Sequence, residues 1–197
     1  MLKSWFKSPA LLIWDIENVR LPNNLAPGVV TTMLKSEFAV RDAVTAITPR
    51  SLFMIKQNHP SFIDVMVPHC DLMLASHKSK RSADYVLIHK IGEYIVKARG
   101  NGKIVLLTGD SDFLEPVQRA LASGVEVQLL YVENKTSRAL LELDYGENSP
   151  IEWRQFLKDK FGGVEIELPY DVVTNNAFVT KNVSQFTQTG LYSHPIC

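Results

Sequence analysis

The chain has 197 residues, which is long enough for one domain with a sizeable hydrophobic core. Hydrophobic residues make up 46% of it and charged residues 21%, and this balance excludes an intrinsically disordered class of protein. Lys+Arg and Asp+Glu both number 21, so the overall charge indicates neither a nucleic-acid partner nor an acidic one. Any such partner must be recognised by local clusters of charge.

The first half of the chain alternates between apolar runs and turn-forming residues. The continuous apolar run at residues 10–14 predicts a strand that is buried on both of its faces. Apolar residues at helical spacing predict a helix over residues 28–47, with Pro49 ending it. The predicted elements that follow are a strand at 51–56, a short helix at 60–67 and a strand at 72–75.

The second half repeats the same alternation. A helix is predicted at 82–97 and a second fully buried strand at 104–107. The next helix is predicted to begin near Asp112 and to end before Gly124. The strand predicted at 125–131 alternates apolar and polar residues, which favours an edge position. Two further helices are predicted, at 136–143 and 151–160.

This alternation predicts a three-layer α/β/α sandwich with a mostly parallel five-stranded sheet. We assign residues 1–162 to this domain and residues 163–197 to a C-terminal extension. Within the extension, residues 164–168 fit either a strand or an extended arm. Beyond Tyr170 the residues lack periodicity, and we interpret them as a tail or a segment that binds a protein partner.

Acidic residues follow two of the predicted strands. Asp15 comes directly after the first strand, and Asp110 and Asp112 come after the fourth. Asp84 lies one turn into the helix that follows the third strand. Because the carboxyl ends of parallel strands share one edge, we expect these four carboxylates to converge there.

Such a cluster is costly unless a cation neutralises it, because like charges repel and raise each other's pKa. Oxygen ligands without His or Cys match Mg²⁺ or Mn²⁺. An ion held this way can activate water and bind a phosphodiester oxygen. Asn18 supplies an amide that could orient the water, the phosphate or Asp15.

A basic loop precedes Asp84. Its cationic side chains are those of Lys78, Lys80 and Arg81. They are candidates for contacts with RNA phosphates beside the metal. More often, such a cluster of basic residues is a solvated loop that binds no ligand.

Three segments together resemble a known family: Trp14-Asp15-Ile16-Glu17-Asn18, Lys80-Arg81-Ser82-Ala83-Asp84 and Thr108-Gly109-Asp110-Ser111-Asp112-Phe113. They are similar to the signatures of NYN domains, which belong to the PIN-like superfamily of metal-dependent nucleases. The resemblance covers about residues 10–160. It is greatest to the limkain-type group of meiosis regulator and mRNA stability factors, which also has a segment like residues 137–141.

The resemblance implies a PIN-like fold and an endoribonuclease that cleaves single-stranded RNA with Mg²⁺ or Mn²⁺. It assigns Asp15, Asp84, Asp110 and Asp112 to the metal and catalytic site, with Asn18 in support. The chain keeps all four acids, which favours an active enzyme. The alternative is a catalytically silent module that binds RNA or organises other proteins.

Two other enzyme classes fit less well. A haloacid dehalogenase-type phosphotransferase needs a second Asp two residues after the first, and Glu17 stands there. A serine esterase with Ser111 as nucleophile needs an acid shortly before a C-terminal His, and none lies two or three residues before His194.

The cysteine usage bears on the compartment. Cys70 and Cys197 are the two cysteines of the chain, and they fit a reducing, intracellular compartment, whether cytoplasm, nucleus or organelle.

Residues 1–14 are basic and then apolar, but we interpret them as a lead-in and the first strand because Asp15 follows at once. No apolar stretch approaches the roughly 20 residues of a membrane span, so no membrane partner is expected. A homodimer is compatible with the sequence, which does not fix the oligomeric state.

Overall fold

A computed structural model describes residues 9–76 and 82–169. Within them, one parallel sheet runs through the domain. Its strands are β1 (Ala10–Trp14), β2 (Val40–Ile47), β3 (Asp71–Leu74), β4 (Lys103–Leu107), β5 (Glu126–Tyr131) and β6 (Ile151–Glu152). They lie side by side in the order β3-β2-β1-β4-β5-β6, and every neighbouring pair is parallel.

Helices cover both faces of this sheet. They are α1 (Pro27–Glu37), α2 (Pro49–Asn58), α3 (Phe62–Met66), α4 (Ser82–Ala98), α5 (Leu114–Ala122), α6 (Arg138–Leu141) and α7 (Trp153–Lys160), with a 3₁₀ turn at Ser111–Phe113 before α5. Buried side chains of α1, α3 and α7 pack on one face, and those of α4, α5 and α6 pack on the other. The predicted three-layer α/β/α sandwich is confirmed, but the sheet in the described residues has six strands and not the predicted five.

All residues of the central strand β1 are apolar because both of its faces are buried. Leu12 and Trp14 pack into the core on one face, while Leu11 and Ile13 pack into the core on the other. Both faces of β1 are therefore shielded from water, and a side chain at any of these positions must be hydrophobic. The strand predicted at residues 10–14 is confirmed.

The prediction of one helix over residues 28–47 is wrong. Helix α1 ends at Glu37, Ala39 takes a positive φ of 50°, and β2 begins at Val40. Val44 pairs with Ile13 of β1 and with Asp71 of β3. Pairing with strands that are distant in the chain therefore decides the conformation of residues 40–47, against their local periodicity.

The strand predicted at residues 51–56 is also wrong, because these residues belong to α2. Pro49 occupies the start of this helix, where its missing N–H costs nothing. The Thr48 hydroxyl accepts a hydrogen bond from the Ser51 N–H and caps the helix. Pro49 thus begins a helix and does not end one.

The prediction that β5 lies at the edge of the sheet is wrong, because β6 pairs with Leu130 and Tyr131 of β5. Gln128, one of the polar residues that indicated an edge, is buried, and its amide donates to the Ser149 carbonyl at 2.8 Å. The helix predicted from residue 151 begins two residues later, at Trp153. A buried hydrogen bond therefore accommodates a polar residue within the sheet.

The remaining elements lie close to their predicted positions. These are α3, β3, α4, β4, α5 and a short α6 within the predicted helix at 136–143. Residues 164–168 form an extended arm, in which Ile166 and Leu168 are buried and the Glu167 carbonyl accepts from the Asn23 N–H at 2.8 Å.

The division of the chain at residue 162 stays a prediction, and the tail from residue 170 lies outside the described residues. None of the described helices combines the length and the apolarity that crossing a membrane requires.

Candidate active site

The site lies where the path of the chain through the sheet changes direction. From β1 the chain continues outward to β2 and β3, and it then returns to the other side of β1 to form β4, β5 and β6. In open parallel sheets this switch point creates a crevice at the carboxyl ends of the two central strands. Asp15 follows β1 and Asp110 follows β4, so the topology alone brings both acids to this crevice.

Asp15 is held in a fixed position by its neighbours. Its side chain is 1% exposed, and its Oδ2 accepts a hydrogen bond from the Thr108 hydroxyl at 2.7 Å. Its Oδ1 accepts from the Asn18 N–H at 3.3 Å. The Asp15 N–H donates to the Leu107 carbonyl at 2.9 Å, which extends the pairing of β1 with β4. Such a buried carboxyl group is costly to ionise without a cation.

The pKa of Asp15 reports this environment. The pKa is raised from 3.8 to about 7, mainly by burial and also by the negative charges of Asp84 and Asp110, while the hydrogen bonds from Thr108 and Asn18 oppose the rise. Asp84 and Asp110 are therefore both close enough to Asp15 for their charges to act on it.

Asn18 links the two central strands. Its Nδ2 lies 3.4 Å from Oδ2 of Asp110, a long hydrogen bond that positions the groups more than it stabilises them. The other oxygen of Asp110 accepts from the Asp112 N–H at 2.9 Å and caps the 3₁₀ turn. The half-buried Asp112 is thereby fixed next to Asp110 at the same end of β4.

The donor set fits a hard cation, but the spacing is wider than that of a closed cage. Within residues 9–76 and 82–169, no three His, Cys, Asp or Glu side chains lie close enough to hold one ion together. Mg²⁺ commonly takes only one or two carboxylates and fills its other positions with water. Asp15 and Asp110, coupled through the crevice, fit that mode of binding. The convergence of all four acids on one ion stays a prediction.

The predicted RNA-binding residues Lys78, Lys80 and Arg81 lie outside the described residues. Asp84, which follows them, lies in the first turn of α4. Its negative charge contributes to the raised pKa of Asp15, so the two carboxyl groups lie within electrostatic range of each other.

Two positioning residues were not predicted from the sequence. Thr108 is fully buried, and its hydroxyl both donates to Asp15 and accepts from the Asp110 N–H at 3.2 Å. The sequence feature that could have indicated Thr108 is its position directly after the buried strand β4. Glu17 accepts from both the N–H and the hydroxyl of Thr48, at 2.7 and 2.6 Å, and thus fixes the start of α2. No local pattern indicates that contact.

Gly109 allows a second loop to pack against the site. A Cβ at this position would lie 2.9 Å from the Lys135 carbonyl oxygen and 2.9 Å from the Thr136 hydroxyl oxygen. The Gly109 carbonyl accepts from the Ser137 N–H at 2.8 Å. The segment between β5 and α6 therefore supports the turn that carries Asp110, and only glycine leaves room for it.

A parallel sheet with acidic residues at its switch point defines a PIN-like α/β domain. Residues 9–145 match the family model of the NYN domain, and the chain belongs to this family. Among solved structures, the chain is similar to a protein of unknown function from Vibrio parahaemolyticus, VPA0982. The two share 18% sequence identity at a TM-score of 0.52, over 77% of this chain and 96% of that one, a likeness that concerns the fold. A comparison with curated proteins found no match.

Proposed function

We propose that this protein is a metal-dependent endoribonuclease that hydrolyses phosphodiester bonds of single-stranded RNA. Membership of the NYN family, to which nuclease activity is attributed, supports this proposal. The observation that carries it is the buried Asp15 carboxyl group, which lies at the switch point in the field of Asp84 and Asp110. A strongly shifted pKa in a crevice is typical of functional residues. The closer likeness to the limkain-type group rests on the three motifs and stays a prediction.

In this proposal Mg²⁺ or Mn²⁺ is held by carboxylates from the set Asp15, Asp84, Asp110 and Asp112. When bound, the ion supplies Lewis-acid chemistry for attack on the phosphodiester. Thr108 keeps Asp15 oriented toward the crevice through its 2.7 Å hydrogen bond. The Asn18 amide, already within 3.4 Å of Asp110, is placed to orient a phosphate oxygen or a water molecule. Lys78, Lys80 and Arg81 are proposed to contact phosphates of the bound strand.

The test is cleavage of a labelled single-stranded RNA by the full chain with Mn²⁺ or Mg²⁺. Cleavage is expected to disappear with EDTA and in Asp15→Asn and Asp110→Asn. Asp144→Asn is a matched control, because Asp144 is exposed and its Oδ1 accepts from the Gly146 N–H, a contact that asparagine can retain. Normal cleavage by either Asp15→Asn or Asp110→Asn would refute the site assignment.

The alternative is a catalytically silent module that binds RNA or organises other proteins. The wide spacing of the acids within the described part of the chain favours this alternative. RNA binding without metal-dependent cleavage, unaffected by Asp110→Asn, would establish the module and exclude the nuclease.

A further inference from the structure

A cavity is lined in part by the loop that follows β1, beginning with the residue directly after Asp15. Its volume is about 490 Å³, within the usual range for ligand sites. Ile16, Glu17 and Arg20 of this loop form one wall, and Arg50 and Met54 of α2 form another. The proposed site for the metal does not use this cavity, although Ile16 directly follows Asp15.

The charged groups of the cavity favour an anion. Arg20 and Arg50 are exposed, and in the part of the chain that the structure describes neither guanidinium takes part in an ion pair. The carboxylate of Glu17 is already bonded to Thr48. Burial lowers the pKa of His59 and so disfavours its positively charged form. Two guanidinium groups are thus available, and planar guanidinium groups match the oxygens of a phosphate.

The rest of the lining suits a planar heterocycle. Ile16, Met54 and Ile55 contribute apolar surface. The Asn58 amide donates to Oδ1 of Asn23 at 3.0 Å, a pairing that leaves the Asn23 amide group as a donor and the Asn58 carbonyl as an acceptor. Apolar contacts with a few convergent amides are how proteins bind unstacked bases.

We propose that this cavity binds one nucleotide of single-stranded RNA next to the bond that is cut, with Arg20 and Arg50 on its phosphate. The assignment rests on the proposed RNA substrate and adds a subsite to the acidic site. Glu17 is two residues from Asp15, so their Cα atoms are at most about 7.6 Å apart. A span this short lets neighbouring nucleotides of one strand reach the cavity and the acidic site.

The test measures RNA binding without catalysis. The full chain is titrated in EDTA against a short fluorescein-labelled single-stranded RNA of mixed sequence, over a range of KCl concentrations. The double variant Arg20→Gln/Arg50→Gln should bind more weakly, and the slope of log K against log salt should flatten by about 0.7, since each phosphate neutralised on a single strand contributes about 0.7. Arg41→Gln is the matched control. It removes an exposed arginine at the start of β2, at the amino-terminal ends of the strands, whereas the cavity lies at their carboxyl ends.

A second measurement separates a nucleotide in the cavity from general attraction of phosphate. RNA carrying 4-thiouridine, crosslinked by light, should attach within residues 16–23 or 49–59. Crosslinks confined to other segments would overturn the assignment, as would a double variant with the affinity and slope of the unaltered protein.

The two proposals can fail separately. If the double variant shows the expected slope change and the unaltered protein gives the expected crosslinks but never cleaves RNA with Mn²⁺, the nuclease proposal fails and the cavity still binds a nucleotide. If the protein cleaves RNA and the arginine variants bind it normally, only the cavity assignment fails.

Discussion

The Thr108 hydroxyl donates a 2.7 Å hydrogen bond to Oδ2 of Asp15 and so joins the ends of the two central strands. Both side chains are buried, at 0% and 1% exposure. The same oxygen of Thr108 accepts from the Asp110 N–H at 3.2 Å. One hydroxyl group therefore orients a carboxylate on β1 and the turn that presents a carboxylate after β4.

Thr108→Val should test this role, because valine keeps the shape and removes the hydroxyl. The bond from Thr108 lowers the pKa of Asp15, so its loss should raise that pKa. RNA cleavage should fall at neutral pH and recover at higher pH. Stability should fall by about 1–3 kcal/mol, because a buried acceptor loses its donor. Cleavage rates across pH and urea unfolding measure the two effects, and Thr108→Ser should retain both properties. An unchanged pH profile in Thr108→Val would contradict the assignment.

Asp15→Asn should change how stability depends on pH in protein without divalent metal. Burial raises the folded-state pKa of Asp15 from 3.8 to about 7. The folded state therefore binds a proton more tightly than the unfolded state, and ionisation costs stability as the pH rises from about 4 to about 7. The variant avoids this cost. Its melting temperature relative to the unaltered protein should increase through that interval and level off above it. A constant difference from pH 4 to pH 8 would mean that Asp15 ionises freely.

Divalent metal should stabilise the protein through the same acids. Mg²⁺ or Mn²⁺ added above pH 7 should raise the melting temperature, because a ligand that binds only the folded state shifts the unfolding equilibrium. Asp15→Asn and Asp110→Asn should lose most of this increase, and Asp144→Asn should keep it. Thermal unfolding at increasing metal concentration makes the comparison. Equal stabilisation of all four proteins would indicate weak binding elsewhere on the surface.

The sequence was sufficient for the parts of the fold that are buried on both faces. Strands β1 and β4 appear as continuous apolar runs because no face of either strand meets water. Their ends carry Asp15 and Asp110, so the acidic edge could be predicted from the same runs. Asp84 is predicted at the same edge because it lies one turn into the helix that follows the third predicted strand, and the family motifs favour the same assignment.

The errors occur where distant contacts decide the conformation. β2 begins Val40-Arg41-Asp42 and owes its strand conformation to pairing with β1, about thirty residues earlier in the chain. The local pattern also predicts a strand over residues 51–56, which form part of α2. The contact between Glu17 and Thr48 also spans 31 residues, so no local pattern could indicate it.

That contact leads to a prediction about Glu17. Glu17→Ala removes the acceptor of two hydrogen bonds from Thr48 and should loosen the start of α2, at a cost of about 1.5–3 kcal/mol for bonds to a charged group. Amide exchange in α2 should accelerate, and the KM for RNA should rise because α2 forms one wall of the cavity. Glu17→Gln should restore part of both. Glu152→Ala is the matched control, because Glu152 caps α7 through the Gln155 N–H at 2.6 Å from the edge strand β6, three strands from β1, and does not line the cavity. It should lower stability and leave the KM unchanged. Equal increases in KM for both alanine variants would show that lost stability alone is responsible, and that Glu17 has no positioning role.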